Sequence, residues 1–351
     1  MKYTPRYTIN NKIHANLQEI EDLKDIVRGH QILPAAEASI RLRATVDTVH
    51  SSTSIEGNPL NINEVRAVIT EDKKISKKEY AEIEVQNYKK AIDYISERKN
   101  GTTKLEISDV LELHRIITNR LLDKTRCGHF RHNPVYIEDQ DHNLIYEAGP
   151  ADMVENDVQA LLDWVNDNRA IIPVAIIAGV LHYQLVTIHP FTDGNGRTSR
   201  ALTMLWLSLN NYDCNGTLSL DPYYASDRRT YYEILQKTHG KNYSESMDTD
   251  LTSWLEYFTN GFVASLHVLN AEIRILDTML PKTDSLSRED EDILSYVAKF
   301  GAIEISEAEA ILPEMNRRSI QRRLKKLVDS GYLELVGATH DAKYIMRRPT
   351  S

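Results

Sequence analysis

Cysteine is almost missing from this chain of 351 residues: Cys127 and Cys214 are the only two. They supply neither a disulfide framework nor the ligand spacing of a zinc site. Long apolar runs are missing too. The longest, Ile171 to Leu181, is 11 residues, well short of the ~18–20 needed to cross a bilayer. Met1–Asn10 has no apolar core of the kind a secretory signal carries. There is no excess of positive charge: 42 Lys+Arg stand against 51 Asp+Glu, for a formal net charge of −9. That balance argues against a generally basic nucleic-acid coat or a membrane-surface protein. The expectation is a cytoplasmic protein with no membrane partner. Phenylalanine is scarce as well, 5 residues beside 3 Trp and 18 Tyr. Tyrosine tolerates partial exposure, so this aromatic content suits clefts and surfaces better than a dry core.

What is present reads as helix after helix. Apolar residues recur at spacings of three and four in Ala36–Glu56, Lys77–Lys99, Ile107–Leu122, Asp152–Asn168, Pro173–Ile188, Arg197–Asn210, Asp227–Lys237 and Leu251–Met279. Pro173 suits a first helical turn, and Ser226 suits an N-cap for the helix carrying Tyr231 and Tyr232. Val135–Tyr146 breaks the pattern: two short β-prone runs flank a polar turn, which signals a hairpin. Pro281–Ser287 reads as a linker. The fold class expected is mainly α, divided into a helical region 1–106, a central domain 107–280 and a small C-terminal domain 281–351.

The informative segment is Ile188–Ala201, IHPFTDGNGRTSRA. Gly194 and Gly196 flank Asn195, so the backbone can turn sharply and present successive N–H groups with no Cβ in the way. The apolar periodicity that follows makes this loop a helix N-terminus, where unpaired N–H groups and the helix dipole favour an anion. Arg197 and Arg200 share one face of the first turn and oppose that dipole, so they require a compensating anion. A polyphosphate fits. Asp193 would repel it unless a divalent cation lies between them, and Mg²⁺ bridging phosphates is the usual solution. His189 is the one nearby side chain able to take a proton near neutral pH. A second grouping, His189, Asp193 and His182 as metal ligands, is the alternative reading of the same residues.

HPFTDGNGRTSR resembles the signature of the Fic (Fido) family, HxFx(D/E)GN(G/K)RxxR, at every defined position. LELHRII around His114, GHFR at Gly128–Arg131 and YYEIL at Tyr231–Leu235 are similar to family landmarks, so the likeness spans about Ile107 to Phe262. It implies the Fic helical fold with a hairpin flap, and a protein adenylyltransferase that moves AMP from ATP to a Ser, Thr or Tyr hydroxyl of a target protein or of itself, releasing pyrophosphate. By that resemblance His189 is the general base and Asp193 holds Mg²⁺. Gly194, Asn195 and Gly196 form the anion hole, Arg197 takes the β-phosphate, Arg200 takes the γ-phosphate, and Phe191 anchors the loop in the core. The hairpin 135–146 becomes the flap that holds the target by strand addition, and Tyr232 and Tyr231 line the adenine pocket. Many members carry an Asn a few residues after this pair; this chain has His239 near that place.

Ser52–Gly57 (STSIEG) matches the family's inhibitory pattern (S/T)xxxE(G/N). Gly57 reads locally as the residue just past a helix, placing Glu56 in the last turn, where the dipole disfavours a carboxylate unless a cation compensates. The resemblance supplies the cation: Glu56, with Ser52, pairs with Arg200 and occupies the γ-phosphate position. Removal of AMP from a modified target is the reverse reading of the same carboxylate.

In the C-terminal region, Arg288–Phe300, Ser306–Leu312 and Asn316–Ser330 read as helices, followed by GYLELV and KYIMRR. That is the order of a winged helix-turn-helix. Asn316–Ser330 carries six Lys/Arg against Asp329, but residues 288–348 hold 11 basic and 11 acidic residues. Docking of a protein partner is favoured there. DNA contacted through Arg317, Arg318 and Gln321 is the alternative, which would make the chain a DNA-binding regulator with a nucleotide-sensing Fic domain. A homodimer is a further candidate assembly.

Overall fold

The computed structural model describes residues 3–30, 34–71, 79–99, 101–138, 144–246, 248–279, 287–337 and 343–347. Its axis is a pair of helices, α7 (Val174–Ile188) and α8 (Asn195–Leu209), joined by the loop 189–194. In α7 every residue except Val174 and Val186 is buried, and in α8 every residue except Gly196 and Met204. A helix that is apolar all round belongs in the middle of a domain. Ser199 Oγ donates to His182 O (2.8 Å) and Trp206 Nε1 to Val174 O (3.1 Å), tying the two together. Pro173 sits one position earlier than expected, as the N-cap of α7.

Around this pair pack α4 (Glu79–Arg98), α5 (Ile107–Thr118), α6 (Val154–Asn168) and α12 (Thr252–Met279). Gly179 lets α12 approach α7: a Cβ there would lie 2.7 Å from Leu255 Cδ2, and Trp254 Nε1 donates to Gly179 O at 2.8 Å. Helix α1 (Asn11–Gly29) lies along α12 through Ile13, Ile20, Leu23 and Val27. It was not expected from the sequence, because Asn16 and Lys24 interrupt its apolar stripe. Asn16 is nevertheless buried, donating to Thr259 Oγ1 at 3.0 Å. Helix α2 (Pro34–Ile55) runs across α4 and α9 (Asp221–Ser226), and α3 (Ile62–Glu71) follows it. Helix α5 stops at Thr118, short of the expected Leu122. Helix α10 (Arg228–His239) is capped by Asp227, whose side chain accepts from Thr230 N (3.0 Å), and not by Ser226, whose hydroxyl donates to Tyr223 O.

The hairpin consists of β1 (Tyr136–Glu138) and β2 (Leu144–Glu147), antiparallel, with Ile137 opposite Tyr146. Its turn, 139–143, lies outside the described residues, as does most of the expected linker, 281–286. The C-terminal elements are α13 (Arg288–Phe300), α14 (Ile305–Ile311), α15 (Arg317–Asp329), β3 (Leu333–Val336) and β4 (Lys343–Met346). They enclose their own apolar cluster, including Ile293, Val297, Ile303, Ile320, Leu324 and Leu333. Ile303 also bridges to Tyr344. Helix α13 packs on α2. Of the six cations on α15, Arg317 pairs with Glu309, while Arg323 and Lys326 pair with the fully buried Asp290. Among the described residues no helix is long and apolar enough to cross a membrane.

Candidate active site

The loop between α7 and α8 is shaped by residues that tolerate a left-handed backbone. His189, the C-cap of α7, has φ 52° and ψ 58°, and Gly194, the N-cap of α8, has φ 79°. A left-handed histidine costs on the order of 1 kcal/mol and persists only where the surroundings hold it. Three neighbours do so. Asn195 clamps the loop from inside, accepting from Phe191 N and donating to Phe191 O, both at 2.9 Å. Phe191 is fully buried and stacks on His114 with centroids 3.6 Å apart. His114 accepts from Gly128 N at Nδ1 (2.9 Å) and donates from Nε2 to Asp193 O (3.1 Å); burial pushes its pKa down to about 4, so it stays neutral in this role.

The third neighbour is Arg131. It is buried and spends its donors on carbonyls: His189 O (2.8 Å), Gly149 O (2.6 Å), Asn133 O (3.1 Å) and, more weakly, Ile188 O (3.4 Å). One guanidinium thus ties the base of the hairpin to the backbone of His189. His189 Nδ1 lies 3.2 Å from Val186 O, so the neutral ring is protonated there and Nε2 is left as the basic nitrogen. Burial pushes the pKa of His189 down to about 4, with Arg131 adding to the fall and Glu56 opposing it. At neutral pH it is an unprotonated base.

At the start of α8, the N–H groups of Asn195, Gly196 and Arg197 have no intrahelical carbonyl to meet. Gly194 N instead donates to the Asp193 carboxylate, so the open cradle is displaced by one residue from the expected Gly194–Gly196. Arg197 and Arg200 are both buried beside it. The acids they require come from other helices. Arg200 Nη2 donates to Glu56 Oε1 (2.8 Å) and to Ser52 O (2.9 Å), and its Nε donates to Ser52 Oγ (2.8 Å). Its side chain is 1% exposed, against 28% for Glu56. Arg197 Nη1 donates to Glu84 Oε1 on α4, and Nη2 lies 3.3 Å from Asp193 Oδ1.

Glu56 reaches this position because α2 ends in a Schellman turn. Gly57 N donates to Ser54 O (3.0 Å), Asn58 N donates to Thr53 O (3.1 Å), and Gly57 has φ 95°. The carboxylate is at the unfavourable end of α2 but the favourable end of α8. A Cβ added to Gly196 would collide with Glu56 Oε1, so the acid fills the space directly over the first turn of α8.

The expected adenine residues part company. Tyr232 is 40% exposed, with its hydroxyl 3.4 Å from Ile55 O. Tyr231 is 1% exposed, packs against Tyr224 and Trp254, and its hydroxyl meets His182 Nε2 at 2.9 Å. Tyr231 is therefore a core residue behind Arg200 and not a wall of the cleft. His239 is buried against Tyr146 of the hairpin, 4.4 Å between rings. His182 is enclosed with Tyr231, and among the described residues no three His, Cys, Asp or Glu converge as metal ligands, so the His189–Asp193–His182 metal grouping falls. Glu84 and Arg131 were missed as site residues. Glu84 had a signal: it breaks the apolar stripe of Ala81, Tyr88, Ala91 and Ile95 on α4.

Residues 104–207 match the model of the Fic/DOC family. Over 197 residues the chain is 29% identical to a protein of Drosophila erecta named protein adenylyltransferase Fic, covering 55% of this chain and 38% of that protein. Over 193 residues it is 30% identical to protein adenylyltransferase fic-1 of Caenorhabditis elegans, covering 54% and 36%. The chain thus spans little more than a third of these relatives. A Fic family protein of Desulfovibrio desulfuricans G20 superposes over 99% of this chain and 100% of its own, with a TM-score of 0.64 and 21% identity. A structure of C. elegans Fic-1 covers 75% of this chain and 73% of its own, with a TM-score of 0.58 and 23% identity. The segment that carries the loop thus matches the Fic/DOC family, and the chain shares its fold with solved Fic proteins.

Proposed function

We propose that the chain is an autoinhibited protein adenylyltransferase, transferring AMP from ATP to a hydroxyl of a target protein and of itself. The observation that carries this reading is the Glu56 carboxylate seated on Arg200 over the open N-terminus of α8. An acid held there by a separate helix occupies the place a phosphate would take.

In the active arrangement the triphosphate lies along the α8 cradle, with its distal phosphates on Arg197 and Arg200. His189 Nε2 takes the proton of the target hydroxyl as that oxygen attacks the α-phosphorus. The bond from the α-phosphorus to the bridging oxygen breaks, and pyrophosphate leaves. The chain contributes positioning and charge stabilisation rather than a covalent intermediate. Asp193 is exposed and lies just before the cradle in the chain. One carboxylate, with water and phosphate oxygens completing the shell, suits Mg²⁺, which seldom uses an all-protein cage. When bound, that ion would neutralise phosphate charge. The hairpin offers β1 as an edge for an extended target segment, since β2 is flanked by Asn242 through the bridge at Glu147. The C-terminal module is assigned to docking, because half of the α15 cations are already paired internally.

The test uses Glu56→Gly protein and ATP labelled at either the α- or the γ-phosphate. Label should enter protein from the α position only. Entry from the γ position, or from neither, would sink the adenylyltransferase reading. A second prediction concerns Arg131. In the Glu56→Gly background, Arg131→Lys keeps the charge but not the four-carbonyl geometry. AMP incorporation should fall by on the order of tenfold or more, since small misplacements of a reacting group cost that much. ATP affinity by calorimetry should stay within about twofold, because Arg131 contacts none of the phosphate-site residues named above.

A further inference from the structure

Both arginines of the motif are closed by acids, Arg200 by Glu56 and Arg197 by Glu84. Glu84 is buried on α4, and one of its carboxylate oxygens accepts from Arg197 Nη1. The other accepts from Asn58 Nδ2 at 2.6 Å. Asn58 is the residue whose backbone N–H closes the Schellman turn holding Glu56. Its side chain also donates to Ala81 O (3.0 Å) and accepts from Leu60 N (3.0 Å), so it is anchored on both sides. A continuous chain therefore runs from Arg197 through Glu84 and Asn58 to the turn of Glu56.

The donors left on Arg197 say what this hold achieves. Nη1 is spent on Glu84, Nη2 is only loosely engaged by Asp193 at 3.3 Å, and Nε is buried with no hydrogen-bond partner among the described residues. A buried guanidinium N–H without an acceptor is costly and marks a place where a ligand atom belongs. Glu84 grips one corner of the planar fork and leaves Nε without an acceptor among the described residues. Burial raises the Glu84 pKa and Arg197 lowers it, with Glu56 and Asp193 close enough to add to the rise. Three carboxylates thus crowd two arginines before any phosphate arrives.

We propose that Glu84 is a positioning residue for the nucleotide: it fixes Arg197 for the β-phosphate and, through Asn58, couples that grip to the turn carrying the inhibitory Glu56. This rests on the assignment of the α8 cradle to ATP. Glu84 never touches the reacting atoms. Its charge opposes phosphate binding while its geometry aims the arginine, so removing the charge should split affinity from rate.

Glu84→Gln, made in the Glu56→Gly background, tests the split. ADP, which lacks the γ-phosphate that Arg200 would read, is the binding probe. ADP should bind several-fold more tightly, and AMP incorporation at saturating ATP should fall roughly tenfold. A role limited to packing would weaken binding and lower the rate together, and that result, or no change in either, would overturn the proposal. Asn58→Ala, with Glu56 intact, leaves the Glu84–Arg197 pair in place and removes the tie together with the side chain's bonds to Ala81 and Leu60. It should raise self-modification by roughly tenfold, the scale of one charge-assisted hydrogen bond; unchanged self-modification would remove the coupling. If Glu56→Gly itself binds neither ATP nor ADP, the ATP assignment of the cradle has failed. If it binds both and transfers AMP while Glu84→Gln and Asn58→Ala match their parents, only the role of Glu84 is lost.

Discussion

Glu56→Gly should raise incorporation of AMP into the chain by on the order of 10²-fold, the scale at which misplacement of a reacting group costs rate. The reason is positional. With Glu56 in place, Arg200 and the space over Gly196 are filled, and on the proposed reading a triphosphate enters only with its distal phosphate displaced. The same substitution has a cost that can be measured without any activity assay. Arg200 is almost wholly enclosed and would keep Ser52 but lose its carboxylate, which is worth about 1.5–3 kcal/mol for a hydrogen bond to a charged group. The nucleotide-free variant should therefore melt below the wild type. ATP, supplying a phosphate where the carboxylate was, should restore more stability to the variant than to the wild type. A thermal-shift series with ATP reads both effects, and equal shifts for the two proteins would count against the overlap of Glu56 with a phosphate.

His189→Ala should remove transfer almost completely, since loss of a general base costs about 10²–10⁴-fold. Affinity for ATP should survive, because the cradle is built from α8 and not from the imidazole. The pH profile gives a second handle. The folded-state pKa of His189 is lowered to about 4, mainly by burial, so the basic form persists through neutral pH and is lost only as pH falls through that value. Glu56 opposes the lowering, so its removal moves the pKa further down. For Glu56→Gly, the acid limb of kcat/KM should therefore lie well below the ordinary histidine value of about 6.5. A limb centred near 6.5 would mean that the base is a different group or that His189 is solvated in the working enzyme.

The residues that act through local chemistry were readable in the sequence. The glycines flanking Asn195, the arginines three apart and His189 are neighbours in the chain, so spacing alone brings them together. Glu56 was legible for a related reason: a Gly-Asn-Pro stop places it at a helix end. What stayed hidden depends on packing between distant segments. Glu84 is 113 residues from the arginine it holds, and its only trace was an acid in an apolar stripe. Arg131 stands in a recognisable segment, yet its partners are backbone carbonyls, which no side-chain pattern encodes. Tyr231 and Tyr232 are adjacent and chemically identical. Helix rotation alone sends one into the core beside His182 and leaves the other at the surface beside Ile55. Helix α1 is hidden in the sequence because two polar residues sit in its buried stripe: Asn16 meets Thr259 only once α12 packs, and Lys24 lies over the ring of Tyr212 as well as beside Glu21 in its own helix.

The acidic sum of the chain conceals this arrangement. Two buried cations at one helix end are met by Glu56, Glu84 and Asp193, so the site is anionic on balance before ligand arrives. Opening it requires exchanging carboxylates for phosphates at the same donors, not recruiting new positive charge. On the proposed reading, a reactive nucleotide pose and Glu56 on Arg200 exclude one another.

On the proposed reading, one carboxylate, Glu56, holds a competent transferase shut. The most direct measurement is intact-mass spectrometry of wild type, Glu56→Gly and the double variant Glu56→Gly/His189→Ala, each incubated with ATP and Mg²⁺. An added AMP mass is expected on Glu56→Gly, little or none on the wild type, and none on the double variant. Equal adducts on wild type and Glu56→Gly, or an adduct that survives loss of His189, would contradict it.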